Sequence, residues 1–306
     1  METQKFDALL QGKVEELEGI ISNFLPKEEG WQRTVFQAMN YSVLAGGKRL
    51  RPMLMMETYR LCGGKGKEIE PFLAAIEMIH TYSLVHDDLP AMDNDEYRRG
   101  RETTWKVYGE AMGILAGDGL LNYAFETALQ AFDLVDSTDP EAMGRVVRAL
   151  SVLGHNAGIY GMIGGQTVDI EAETQETPMT EAQLHFIHEH KTGALIVASM
   201  KIGAILAGAS AEQIRALECC AENIGMAFQI QDDILDVVGD SLELGKPVGS
   251  DAQNNKQTYV TLYGLEDAKI LVESLSEEAV EKYLKSVDGD HEFLEELILT
   301  LIHRRK

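Results

Sequence analysis

Two short segments concentrate carboxylates: Asp87-Asp88-Leu-Pro-Ala-Met-Asp93, which closes an apolar helical run from His80, and Asp232-Asp233-Ile-Leu-Asp236 within another. Side chains of one sign packed so closely repel, so they either splay into solvent or share cations. Carboxylate oxygens suit hard ions, Mg2+ above all, and Mg2+ commonly completes its shell with water and the phosphate oxygens of a substrate. For one cluster alone, an acidic solvated turn explains the residues equally well. The second cluster shifts the balance. Asp232 and Asp236, four apart, project from one face of an apolar helix. Like charges there destabilise a bare helix, so this helix has a cation to hold. Two such helix ends, distant in sequence, are able to face each other across one cavity.

An anion held by metal also needs cationic readers. Lys and Arg concentrate at Gly46-Gly47-Lys48-Arg49-Leu50-Arg51-Pro52 and at Arg98-Arg99-Gly100-Arg101. In the first, the glycines free the backbone, Pro52 suits the first turn of the next helix, and three cations and several amides become available. A diphosphate clamp is the functional reading and a basic helix cap the structural one. The chain as a whole has the opposite sign, with a formal net charge of −23. That charge disfavours nucleic acid and anionic membrane surfaces as partners.

The elements that must position these residues read as helices. Phe6, Leu9, Leu10, Val14, Leu17, Ile20 and Ile21 recur at helical spacing before Pro26, and a second run spans Trp31 to Ala45. Pro71 opens the long helix that reaches the first aspartates, with His80, Leu84 and Asp87 on one stripe. A straight helix would leave Asp87 and Asp93 roughly 120° apart. Pro90 disfavours helix at Leu89, which predicts a local loop that returns Asp93 towards Asp87. Apolar spacing of three and four continues from Glu110 to Val135, Pro140 to Asn156 and Tyr160 to Glu173. There Gly164-Gly165-Gln166-Thr-Val-Asp169 is polar enough to line a cavity, while close packing alone also explains its glycines. Capping boxes at Thr180/Gln183 and Ser210/Gln213 open two more helices. The first carries Lys191-Thr192-Gly193 mid-way, a spacing that predicts a kink freeing backbone carbonyls. Gly239 to Lys256 is a long irregular stretch, with Lys246 and Lys256 suited to close over phosphate. Three short helices and a basic tip follow. No segment alternates with period two, so the expectation is an all-helical bundle around a deep apolar cavity, without a sheet.

The 306 residues, 45% hydrophobic, suffice for one large domain, and no Ser/Gly/Pro linker or internal repeat divides them, so 1–306 reads as a single domain. Cys62, Cys219 and Cys220 give neither a CxxC spacing nor an even disulfide framework, which fits a reducing cytoplasm and not zinc. No apolar signal core and no membrane-spanning run is expected.

These motifs, in order and spacing, resemble the trans-isoprenyl diphosphate synthases, most of all the bacterial farnesyl type, which keeps four residues between the second and third aspartates of the first motif. The matching residues are the Gly46–Pro52 turn, His86–Asp95 with Arg98-Arg99, Gly164-Gly165-Gln166, Lys191-Thr192, Phe228–Asp236 and Lys256-Gln-Thr-Tyr259. The resemblance implies a homodimer that condenses isopentenyl diphosphate with an allylic diphosphate, using three Mg2+ ions per active site. Asp87, Asp93 and Asp232 would hold Mg2+, with Asp88, Asp233 and Asp236 in support. Arg98, Lys191, Lys246 and Lys256 would grip the allylic diphosphate. Gly47, Lys48, Arg51, His80 and Arg99 would bind isopentenyl diphosphate, and Thr192 and Gln229 would face the reacting carbons. Tyr82 and Ser83, five and four residues before Asp87, lie roughly 6 to 8 Å along the helix from the metal site and would set product length; a plain core role explains Tyr82 as well. The rival readings are a geranylgeranyl diphosphate synthase, a non-catalytic partner subunit and a Mg2+-dependent phosphohydrolase.

Overall fold

A computed structural model describes residues 3–174, 177–238 and 257–302. In chain order the elements are α1 (Thr3–Asn23), α2 (Arg33–Val43), α3 (Leu50–Leu61), α4 (Glu70–Asp87), the strands β1 (Tyr97–Arg98) and β2 (Arg101–Glu102), α5 (Thr104–Tyr108), α6 (Glu110–Leu129), α7 (Pro140–Ala157), α8 (Met162–Thr174) and α9 (Glu181–Ile187). A π-helical turn, His188–Gly193, leads into α10 (Ala194–Ala207), followed by α11 (Ala211–Val238), α12 (Tyr259–Tyr263), α13 (Leu265–Glu277) and α14 (Glu292–Ile302). The fold is all-α, as the spacing predicts. One correction concerns the sheet: β1 and β2 form a two-residue antiparallel ladder, Tyr97 opposite Glu102 and Arg98 opposite Arg101. Arg99 and Gly100 both take positive φ, 52° and 74°, the type I′ turn that matches strand twist. The ladder is too short for period-two alternation to register in sequence.

Contacts divide the chain into two compact units, Glu2–Met56 with Lys65–Leu150, and Glu57–Gly64 with Ser151–Lys306. In the first, α4 is buried on every side: Phe72, Leu73, Ile76, Met78 and Ile79 are all inaccessible to solvent. Each such side chain contributes about 1.5–3 kcal/mol of transfer free energy, and a helix apolar all round belongs in a core. α6 lies along α4 closely because of its glycines. A methyl on Gly117 would overlap the His86 ring, and one on Gly113 would meet Leu89 at 3.0 Å.

In the second unit α10 is the buried helix, packed on α11, which in turn packs on α13. The Thr180/Gln183 box forms reciprocally at the start of α9, and the Ser210 and Gln213 side chains exchange bonds with each other's amides before α11. Gly208 ends α10 at φ 81°, its amide bonding Ile205 while that of Ala209 reaches Ala204, a left-handed stop that suits glycine. The expected kink is the π-helical turn itself, one extra residue inside an otherwise continuous helix.

Candidate active site

In the first unit, α4 stops at Asp87, and the chain bends at Pro90 so that the Asp93 amide donates to the Asp87 carbonyl at 2.8 Å. Asn94 follows with φ 55°. The loop thus brings Asp87 and Asp93 together while leaving both side chains accessible, Asp87 half-buried and Asp93 exposed. Asp88 is different. It is 3% exposed and accepts from Arg98 Nε at 2.6 Å. Burial pushes its carboxyl up to about 6, against the pull of Arg98. Arg98, expected on a diphosphate, is engaged with Asp88 and, at 3.6 Å, with Asp95.

The Gly46–Arg51 turn stands beside this loop. Gly46 and Gly47 have φ 79° and 140°, and the Arg99 guanidinium donates to the Gly46 carbonyl. A Cβ on Gly47 would sit 2.6 Å from Arg99 Nη1 and displace that side chain, and the φ of 140° itself favours glycine. Of the three cations expected at this turn, Lys48 is exposed and Arg51 half-buried. Arg49 is not available: it is buried against Glu77 at 2.6 Å. Arg51 Nε is buried with no hydrogen-bond partner. Desolvation lowers its guanidinium to about 10, opposed by Glu77 and reinforced by Arg99. Burial and then Arg51, Arg99, Arg98 and Arg49 drive the His80 imidazole well below its usual range, so it stays neutral. With Arg51 half-buried and Arg99 exposed, cations gathered at one turn favour an anionic ligand.

Further up α4, Tyr82 is 6% exposed and stands edge-on to His86 with ring centroids 5.8 Å apart. Burial, helped by Asp87, raises its phenol to about 12. Ser83 Oγ donates to the His80 carbonyl at 2.9 Å.

The second unit carries the other half of the predicted set. Gln229 and Asp232 are half-buried on α11, while Asp233 and Asp236 are buried. Asp233 Oδ2 accepts the Tyr259 amide at 2.9 Å, which ties the start of α12 to the second motif. Lys191 and Thr192 lie on the π-helical turn. Lys191 Nζ bonds Asp169 on α8 at 2.6 Å. The glycines explain how this turn is held: a methyl on Gly165 would overlap the Lys191 amide, and one on Gly225 would stand 2.9 Å from Gly193 Cα. Close packing is therefore the purpose of Gly165. Lys246 and Lys256, and the basic tip, lie outside the described residues.

Among the described residues no three His, Cys, Asp or Glu side chains converge into a metal cage. Accessible carboxylates on a short loop, Asp87 half-buried and Asp93 exposed, fit an ion that takes one or two protein oxygens and fills its shell from water and phosphate, as Mg2+ does. Sequence reasoning missed one carboxylate, Glu77, and left another, Asp169, without its partner. Glu77 is the charged residue of an otherwise apolar stretch one turn before His80, and that isolation was the available signal. Asp169 closes the segment from Gly164 that is polar enough to line a cavity, with nothing in the sequence to link it to Lys191.

The fold defines an all-α helical protein, and the comparisons make the class specific. A sequence model of the polyprenyl synthetase family matches residues 32–293. A farnesyl diphosphate synthase of Geobacillus stearothermophilus is 44% identical over 286 residues, 93% of each chain. A geranylgeranyl diphosphate synthase of Cyanophora paradoxa is 41% identical over 275 residues, 90% of this chain and 89% of that one. The crystal structure of an FPP/GFPP synthase from Zymomonas mobilis superposes with a TM-score of 0.84 at 31% identity, covering 97% of this chain and 99% of that one. The chain belongs to the polyprenyl synthetase family.

Proposed function

We propose that this protein is a prenyltransferase that condenses isopentenyl diphosphate head-to-tail with dimethylallyl and geranyl diphosphates to give farnesyl diphosphate. The observation that carries the reading is the gathering of Arg51, His80 and Arg99 at the Gly46–Arg51 turn, with Arg99 bonded to the Gly46 carbonyl and Arg51 Nε buried without a partner, beside the accessible carboxylates of the Asp87–Asp93 loop. Such a cluster fits a multiply charged anion. The farnesyl diphosphate synthase at 44% identity supports the product.

Breaking the allylic C–O bond leaves negative charge on diphosphate and positive charge on the hydrocarbon, so the two need opposite surroundings. Lys191, steadied by Asp169, grips the departing diphosphate, with Lys246 and Lys256 of the following segment as further cations. The Thr192 carbonyl and the Gln229 amide oxygen face the hydrocarbon cation and offer it dipoles without a competing nucleophile. Arg51, Arg99, Lys48 and the Gly47 turn hold isopentenyl diphosphate so that its double bond attacks the cation. The released diphosphate takes the proton, and exclusion of water prevents quenching to an alcohol. Asp87, Asp93 and Asp232 are the residues to hold Mg2+, three ions per site, with Arg98 keeping Asp88 in support. When bound, Mg2+ neutralises charge on the departing diphosphate.

In this reading residues 1–306 work as one catalytic domain. The family match running through both units supports that. A homodimer is supported by exposed apolar side chains on α6, Ile114 at 42% and Leu115 at 52%, which water disfavours. Free Cys62, Cys219 and Cys220 fit a reducing cytoplasm. Among the described residues no helix is long and apolar enough to cross a membrane.

The test is purified protein with Mg2+, dimethylallyl diphosphate and isopentenyl diphosphate, followed by product mass. A fifteen-carbon diphosphate that disappears on chelation is expected. A twenty-carbon product would instead favour the second reading, geranylgeranyl diphosphate synthesis, which the relative at 41% identity keeps open. Inorganic phosphate without chain growth would overturn both.

A further inference from the structure

We infer that Glu77 is a positioning residue: through Arg49 it locks the Gly46–Arg51 turn in the shape that lets Arg51 and Arg99 share one diphosphate. The inference rests on the assignment of these cations to isopentenyl diphosphate. Glu77 is 2% exposed on α4, one turn before His80. Its Oε1 takes Arg49 Nη1 at 2.6 Å. Arg49 is itself 4% exposed, and its Nη2 donates at 2.8 Å to the Val43 carbonyl at the end of α2. Held at both ends of its guanidinium, Arg49 keeps a backbone φ of 47°. A non-glycine residue accepts that region at an energetic cost, and it persists only where the surroundings over-determine it.

Contacts continue from that anchor to the ligand-reading groups. The turn that Arg49 fixes presents the Gly46 carbonyl to Arg99, and Arg99 occupies the space a Gly47 side chain would fill. Arg51 follows two residues on, its Nε buried without a partner. Glu77 also acts on these groups at longer range, favouring the charged forms of Arg51 and Arg99 against burial and mutual repulsion. The carboxylate therefore has two opposite influences on an incoming anion. Its charge repels the anion, and its hold on Arg49 shapes the place where the anion binds. Glu77→Gln removes the repelling charge and weakens the hold on Arg49 together, and the sign of the affinity change tells which influence dominates, because the two predict changes of opposite sign.

The experiment is calorimetric titration of inorganic pyrophosphate, and of isopentenyl diphosphate, into the full-length protein and Glu77→Gln, alongside steady-state KM values for both substrates. If positioning dominates, Kd for pyrophosphate and KM for isopentenyl diphosphate both rise by about tenfold or more, the scale set by losing a charge-assisted hydrogen bond. KM for the allylic diphosphate stays near wild type, a split that general loosening of the fold would not produce. Unchanged or tighter pyrophosphate binding overturns the inference. Should Glu77→Gln not fold, the double variant Arg49→Met with Glu77→Leu removes both buried charges, a change that buried ion pairs often tolerate. It is expected to show the same loss, and wild-type affinity in it overturns the inference equally. Absence of binding by the wild-type protein would instead sink the assignment of the cation cluster, and this inference with it.

Discussion

Gly165→Ala tests how the π-helical turn is held against α8. The added methyl would lie 2.7 Å from Lys191 Cα and 2.8 Å from the His190 carbonyl carbon, and would overlap the Lys191 amide. All three are backbone atoms, so no side chain can rotate away. Restoring ordinary carbon contacts of about 3.5–4.0 Å requires the turn and α8 to part by roughly 1 Å. Overpacking of this kind costs about 1–3 kcal/mol, which for a chain of this size is a fall of roughly 2–6 °C in Tm. The effect on turnover is expected to be larger, because a 1 Å misplacement of groups that flank the reacting atoms costs on the order of a hundredfold in rate, and Lys191 and Thr192 move with the turn. The assay is kcat for prenyl transfer and Tm by calorimetry, with Gly12→Ala as control. An alanine at Gly12, inside α1, meets nothing within 4 Å, so it is expected to stabilise by up to about 1 kcal/mol through helix propensity without touching kcat. Wild-type kcat and Tm in Gly165→Ala would refute the idea that this glycine sets the position of Lys191.

Tyr82→Ala removes a ring that is 6% exposed on α4 and is expected to move the main product beyond fifteen carbons; an unchanged product distribution by mass spectrometry would rule out a length-setting role. Asp169→Asn removes the charge opposite Lys191 in a partly exposed pair, so the allylic KM is expected to rise by about fivefold, roughly 1 kcal/mol after solvent screening. A pH prediction concerns His188, which is 4% exposed and which burial lowers to about 4. Its folded value lies below its unfolded one of about 6.5, so the unfolded chain binds the extra proton. Stability is then lost as pH falls from 6.5 and the loss saturates below 4, a span worth about 3 kcal/mol. His188→Phe, which keeps an aromatic ring against Tyr259, is expected to flatten Tm between pH 6.5 and 4, and an equally steep fall in the variant would contradict this.

Much of the architecture is legible in sequence because helical spacing, prolines and capping residues are local signals. Pro71, Pro90, the two capping boxes and the Lys191-Thr192-Gly193 irregularity each report on bonds within a few residues, and each falls where the chain bends or starts a helix. The aspartate motifs are legible for a related reason: like charges on an apolar helix conflict with local stability, and that conflict points to a ligand. What the sequence leaves undetermined is which charges are already paired. Lys48, Arg49 and Arg51 look equivalent in one turn, yet Arg49 is consumed by Glu77, 28 residues away. Arg98 is engaged by Asp88, and Lys191 is held by Asp169, 22 residues before it. Such pairings depend on distances between side chains on different elements, which no periodicity encodes. The residue types and their spacing fixed the kind of chemistry; tertiary packing alone decided which cations stay available to an anion, because burial removes water and leaves each charge to the partner it finds there.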